Sequence, residues 1–289
     1  MGRNFPESVM TYKSLLVLLD DDLHCIARTQ AAIRLARQFG CHLVGVAPTG
    51  PLDLPAMPSS AAALSAFAAS ARDALRDPAE RVADQFRSDC RAAGLTSCEV
   101  IVDEADKARS LVRHAHCSDL TVLTQADPAT PGHRATSGLV ETVVLHSARP
   151  TLILPSARHI EHIGTRALIA WDQSREAARA VADALPLLRC ATEVRLVTWP
   201  EGDVTGPQVL QAQLDAARGW LARHGIDAQV QIERPTASIA DALLACAAES
   251  RCDLIVMGAY GHARWAERLL GGATRGLLRA MPVPVLMSH

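Results

Sequence analysis

The sequence predicts an α/β protein built as two tandem doubly wound parallel five-stranded sheets, and three observations carry that prediction. The chain has 289 residues, about twice the length of one compact α/β unit. Short apolar runs alternate throughout with amphipathic stretches of helical period. The two halves also resemble each other at fixed offsets. Asp119-Leu-Thr-Val-Leu-Thr124 matches Asp253-Leu-Ile-Val-Met-Gly258, and Arg149-Pro-Thr-Leu-Ile-Leu matches Val283-Pro-Val-Leu-Met-Ser, both at an offset of 134 residues. Leu15-Leu-Val-Leu-Leu-Asp20 matches Ala167-Leu-Ile-Ala-Trp-Asp172 at an offset of 152. The first half therefore has a longer middle, and Pro48 to Ser60, with its four prolines, marks the expected insertion.

Each half reads as five strands with helices between them. In the first, strands are expected near 14–19, 42–46, 98–102, 120–123 and 151–154, and the first helix places Ala32, Leu35, Ala36 and Phe39 on one face. Ala61 to Ala74, rich in Ala and Ser, reads as a long surface helix or a cover. In the second half, Arg166 to Trp171 is a strand ending at Asp172, and Ser174 is the N-cap of a helix whose stripe is Ala177, Val181, Ala184, Leu185 and Leu188. There follow a strand at 193–198, a helix at 207–223 closed by Gly225, and a strand at 227–232. A helix at 236–250, a strand at 253–257, a helix at 274–280 and a last strand at 283–287 complete the half. Short apolar strands joined by helices imply parallel sheets with right-handed crossovers. The join falls in Ser156 to Thr165, giving domains at 1–156 and 157–289.

Composition narrows the function. Hydrophobic residues are 49%, charged 21% and aromatic only 3%, so Ala, Val and Leu must fill the cores. Net charge is −2 with the signs interspersed, which declares no surface for nucleic acid. None of the eight cysteines forms a C-x-x-C pair, as expected of reduced thiols in a cytoplasmic protein. Leu15 to Leu19 is too short for a signal-peptide core, and Leu54 to Ala71, the longest uncharged stretch, is too poor in large apolar residues for a membrane span.

Open parallel sheets bind ligands at the carboxyl ends of their strands, where the strand order reverses. In the second half that place carries Asp172 after strand one, and Gly258-Ala-Tyr-Gly261 followed by Gly271-Gly272 after strand four. Glycine lets backbone N–H groups approach an anion, and a helix N-terminus beyond it adds donors and a favourable dipole. Asp172 is placed to accept hydrogen bonds from a base or ribose.

Gly258-x-x-Gly261-x9-Gly271 resembles the nucleotide motif of the universal stress protein family. Ala170-Trp-Asp172-Gln-Ser174 is similar to that family's first-strand segment, and Met281-Pro-Val-Pro-Val-Leu-Met-Ser-His289 to its last strand. The resemblance spans both halves, although the full motif occurs once. It implies a Rossmann-like, adenine nucleotide alpha hydrolase-like fold. It also implies ATP or another adenine nucleotide as ligand, with Mg2+ as a companion ion, held by Asp172, Gly258, Gly261, Gly271 and Gly272. The family's hydroxyl after the third glycine is Gly272 here, a loss of about 1 kcal/mol for one neutral hydrogen bond, with Thr274 two residues on. In the first half Thr124, Asp127 and Ser137 replace the glycines while Asp20 and Gly138 survive, so that half is expected to bind nothing.

Two other clusters read as structural. Asp20-Asp21-Asp22 suits a helix start, and His114-x-His116-Cys117 a helix end, with no fourth metal ligand indicated. No G-x-S-x-G, H-E-x-x-H, Walker or G-x-G-x-x-G motif is present. The expected function is a regulatory, stress-response nucleotide binder without catalytic residues, paired as a homodimer and acting on an unknown protein partner. A weak ATPase or autophosphorylating protein using Ser174 or Thr274 is the enzyme alternative, and a ligand-free interaction module the third.

Overall fold

In the computed structural model of the chain, the residues described are 11–50, 61–126, 138–156, 160–200, 206–234, 238–259, 277–278 and 280–289, with side chains omitted at 61–69 and 207. They divide into two compact units. One holds residues 13–124 and 138–149; the other holds those from 150 onward, with 11–12 and 125–126.

The first unit contains β1 (Ser14–Leu18), β2 (His42–Pro48), β3 (Cys98–Asp103) and β4 (Leu120–Thr124), in the order β3-β2-β1-β4 and all parallel. Leu15, Leu16 and Val17 are inaccessible to solvent, as the near-continuous apolar runs of a sheet covered on both faces require. Its helices are α1 (Cys25–Phe39), α2 (Ala61–Ala92), α3 (Lys107–Ala115) and α4 (Leu139–His146). Ala32, Leu35 and Ala36 are buried as the helical stripe predicts. Gly40, at φ 61°, ends α1 in the left-handed conformation that residues with a Cβ avoid.

The second unit contains β5 (Thr151–Leu154), β6 (Arg166–Ala170), β7 (Glu193–Thr198), β8 (Ala228–Ile232), β9 (Leu254–Gly258) and β10 (Val285–Ser288). Their order is β5-β10-β9-β6-β7-β8. All neighbours are parallel except β10 and β5, which run antiparallel with Leu286 opposite Leu152. Two apolar strands that would each expose an edge thus cover one another. Its helices are α5 (Arg175–Asp183), α6 (Leu185–Leu188), α7 (Pro207–Arg223) and α8 (Ile239–Glu249).

The helix expected through Leu188 is broken after Asp183. Pro186 has no N–H to return to Ala182, so α5 closes on Ala184 and α6 starts there afresh. The extra length of the first half also lies partly in helix: α2 has 32 residues where its counterpart α7 has 17, and 51–60 lie outside the described residues.

One repeated device locks the two strands flanking each switch point. Asp119 accepts the main-chain N–H groups of Lys13 (2.6 Å) and Ser14 (3.0 Å) at the start of β1. Asp253 does the same for Thr165 (3.0 Å) and Arg166 (2.8 Å) at the start of β6. No helix among the described residues is long and apolar enough to cross a membrane. All eight cysteines are free.

Candidate functional site

The strand order of the second unit reverses at β6, which has β7 on one side and β9 on the other, with Ala170 in register with Met257. Asp172, two residues beyond β6, and Gly258, the last residue of β9, therefore lie at the carboxyl ends of adjacent strands. This is where ligands bind open parallel sheets.

The turn from β6 into α5 is fixed by its own side chains. Asp172 Oδ1 accepts from the Ser174 main-chain N–H (3.0 Å) and from the Ser174 hydroxyl (2.6 Å). Ser174 Oγ in turn accepts the Ala177 N–H at 3.0 Å, capping α5 as expected. Gln173 between them takes the left-handed conformation, at φ 64°. The carboxylate is thus oriented, and its other oxygen, Oδ2, is the one left to address a ligand.

Gly258 is constrained from a direction that the sequence does not reveal. A Cβ there would lie 2.5 Å from the Ala177 nitrogen and 2.6 Å from the Glu176 carbonyl carbon. The glycine lets the first turn of α5 settle directly on the end of β9, which brings the Asp172 turn to the strand terminus. Glu176, buried beside it, pairs with Arg175 through Oε1, while Oε2 has no partner among the described residues. Burial pushes this carboxyl up, but its bonds to Arg175 and to main-chain N–H outweigh that and leave it below the usual range. Gly261, Gly271 and Gly272, like Asp127 and Ser137 of the first half, lie outside the described residues.

The matching place in the first unit is filled by protein. Asp20 is held by Arg28 at 2.6 Å and by Lys107 at 2.7 Å. The same Arg28 guanidinium donates to Thr124 Oγ1 (3.0 Å) and, through Nε, to the Leu18 carbonyl (2.9 Å). One buried arginine therefore spans the positions equivalent to Asp172 and Gly258. Burial raises the Asp20 carboxyl, but the two cations more than compensate and hold it below its ordinary value. Arg28 and Lys107 were not singled out in the sequence, although Arg28 sits one turn before Ala32 on the buried stripe of α1. At the offset of 152 its counterpart is Ala180, equally buried and unable to bridge anything.

His114 is engaged elsewhere. Its Nε2 lies 3.2 Å from Asp103, which also accepts from Ser110 (2.6 Å) and Arg113 (2.5 Å). Among the described residues, no group of three or more His, Cys, Asp or Glu is placed to hold a metal ion.

Residues 165–289 match the family model described as the universal stress protein family. A universal stress protein from Archaeoglobus fulgidus DSM 4304 is 20% identical with a TM-score of 0.70, covering 95% of this chain and 95% of that one. A functionally unknown protein from Pseudomonas aeruginosa PAO1 is 14% identical with a TM-score of 0.60, covering 96% of this chain and 92% of that one. These likenesses extend the fold over both halves. A shorter universal stress protein from Archaeoglobus fulgidus, solved in complex with dAMP, is 20% identical with a TM-score of 0.34, covering 44% of this chain and 98% of that one. That likeness is too slight to carry its ligand across. No curated protein gives a significant match.

Proposed function

We propose that the chain binds one adenine nucleotide, ATP or AMP, in its second half, and works as a cytoplasmic regulatory protein of the stress response rather than as an enzyme. The carrying observation is the meeting of an oriented Asp172 and a Cβ-free Gly258 at the switch point of the half that matches the family. Asp172 takes the ribose or base, and Gly258, Gly261, Gly271 and Gly272 take the phosphates. The Arg28 bridge leaves the first half without a site.

Phosphorylation on Ser174 is disfavoured, because that side chain is buried and its hydroxyl donates to Asp172. Pairing of whole chains into a homodimer completes the reading.

Calorimetry with ATP, ADP and AMP, with and without Mg2+, tests it. One site per chain is expected, lost in Gly261→Asp, where a carboxylate would face the phosphates, and weakened by about 1 to 2 kcal/mol in Asp172→Ala. Two equal sites would sink the asymmetry, and no heat with any of the three would favour the ligand-free module. Stoichiometric transfer of labelled phosphate would favour the enzyme.

A further inference from the structure

The two units differ in one part of their cores. Gly94 (φ 70°) and Gly225 (φ 76°) follow α2 and α7, and eight residues before them stand Phe86 and Ala217. On the strand beneath, Gly45 lies opposite Val17 and Leu196 opposite Ile169, so Gly45 and Leu196 are counterparts, as are Leu19 and Trp171. In the first unit Phe86 is fully buried and lies over Gly45, where an added Cβ would meet Leu19 at 2.7 Å and the Phe86 ring at 3.2 Å. The second unit moves bulk from helix to strand, pairing Ala217 with Leu196, and the exchange does not fill the space. A cleft of about 330 Å³ remains, lined by Trp171, Val181, Leu196, Ala217, Trp220 and Leu221.

We infer that this cleft between α5 and α7 is a second ligand site, for a small neutral aromatic molecule. Its volume is within the range of small-molecule pockets, about 300 to 1,000 Å³. Its lining residues are all apolar, and apolar cavities take up apolar molecules in preference to water. Charged ligands would be desolvated there without compensation. Two indole rings in the wall favour a flat partner. Trp171 Nε1 is itself shut off from solvent, so the indole offers the cleft its apolar ring rather than its N–H. Asp172, the next residue, belongs to the nucleotide site, so the cleft adjoins that site without sharing its polar groups.

The test uses the full chain labelled with 15N and titrated with toluene, following the four indole N–H resonances, assigned by Trp→Phe variants. Saturable shifts of Trp171 and Trp220 are expected, unchanged by saturating ATP. Ala217→Phe, which restores the ring found in the other unit, should weaken binding at least tenfold while retaining cooperative unfolding. Three outcomes overturn the inference: no saturable shift in the wild type up to the solubility of toluene, undiminished binding in a folded Ala217→Phe chain, or displacement of toluene by ATP.

Discussion

The Asp20 carboxylate accepts a hydrogen bond from the Arg28 guanidinium at 2.6 Å, with both side chains more than nine-tenths buried. The acid that stands where Asp172 stands in the other half is turned inward here, and the first unit uses it to hold its own helix against its own strand.

Removing that charge should be costly. Asp20→Asn leaves Arg28 and Lys107 facing each other without an anion, and breaking a buried pair from one side costs about 3 to 5 kcal/mol. Urea unfolding of the variant measures the loss. The sign of the pH effect follows from the depressed carboxyl. Its contribution is fully present above the unfolded value of about 3.9 and disappears only as pH falls further, through the lower folded value. Wild-type stability should therefore lose an increment below about pH 4 that Asp20→Asn lacks. Equal acid sensitivity in the two proteins would show that the pair does not govern it.

Gly258→Ala should destabilise the second unit by about 1 to 3 kcal/mol, because the added carbon meets backbone rather than a side chain that can swing away. It should also loosen nucleotide binding by displacing the Asp172 turn. The matching Thr124→Ala removes only the bond to Arg28 and should cost about 1 kcal/mol. Thermal unfolding of the two variants side by side checks the ordering.

Ser174→Ala removes both the cap of α5 and a donor to Asp172. A stability loss of about 1 kcal/mol is expected from the cap. Nucleotide affinity should fall as well, since the carboxylate loses its orientation. Calorimetry showing full affinity would mean that Asp172 is held by other means.

Thiol chemistry should separate the cysteines. Cys117 and Cys190 are exposed, while burial raises Cys41 to about 11, Cys90 to about 12 and Cys246 to about 11. At pH 8 a thiol of that kind is ionised in about one molecule per thousand or fewer. A disulfide reagent should therefore label Cys117 and Cys190 first, and reach all eight thiols only after denaturation. Early loss of Cys41 or Cys90, read by mass spectrometry, would contradict the burial.

The architecture was legible because it rests on periodicity. Asp119 and Asp253 stand out as matching ends of a repeat, and the structure gives both the same work at the start of a strand. Pro186 leaves no mark in that periodicity, because the apolar stripe runs through it without a gap. At the site, Asp172 and Ser174 are legible as neighbours on a short turn. The clash behind Gly258 is not, since it arises from a helix more than 80 residues earlier in the chain. Arg28 carried a usable signal, a charge on a buried stripe, but its partners Thr124 and Lys107 are distant in sequence. The cleft has no signature at all, because an alanine at position 217 is an ordinary helix residue until its counterpart Phe86 is seen filling the same place.

The pairing of β5 with β10 also sets a timetable. Ile153 and Val285 are in register yet 132 residues apart. At about 5 to 20 residues per second, roughly 7 to 26 s of synthesis separate a strand from its partner. Throughout that interval Thr151-Leu-Ile-Leu154 has no β10 to pair with, and any other nascent copy presenting the same edge competes for it. Crowded polysomes would then favour exchange of β10 between chains, an entangled product that dilution after synthesis could not undo.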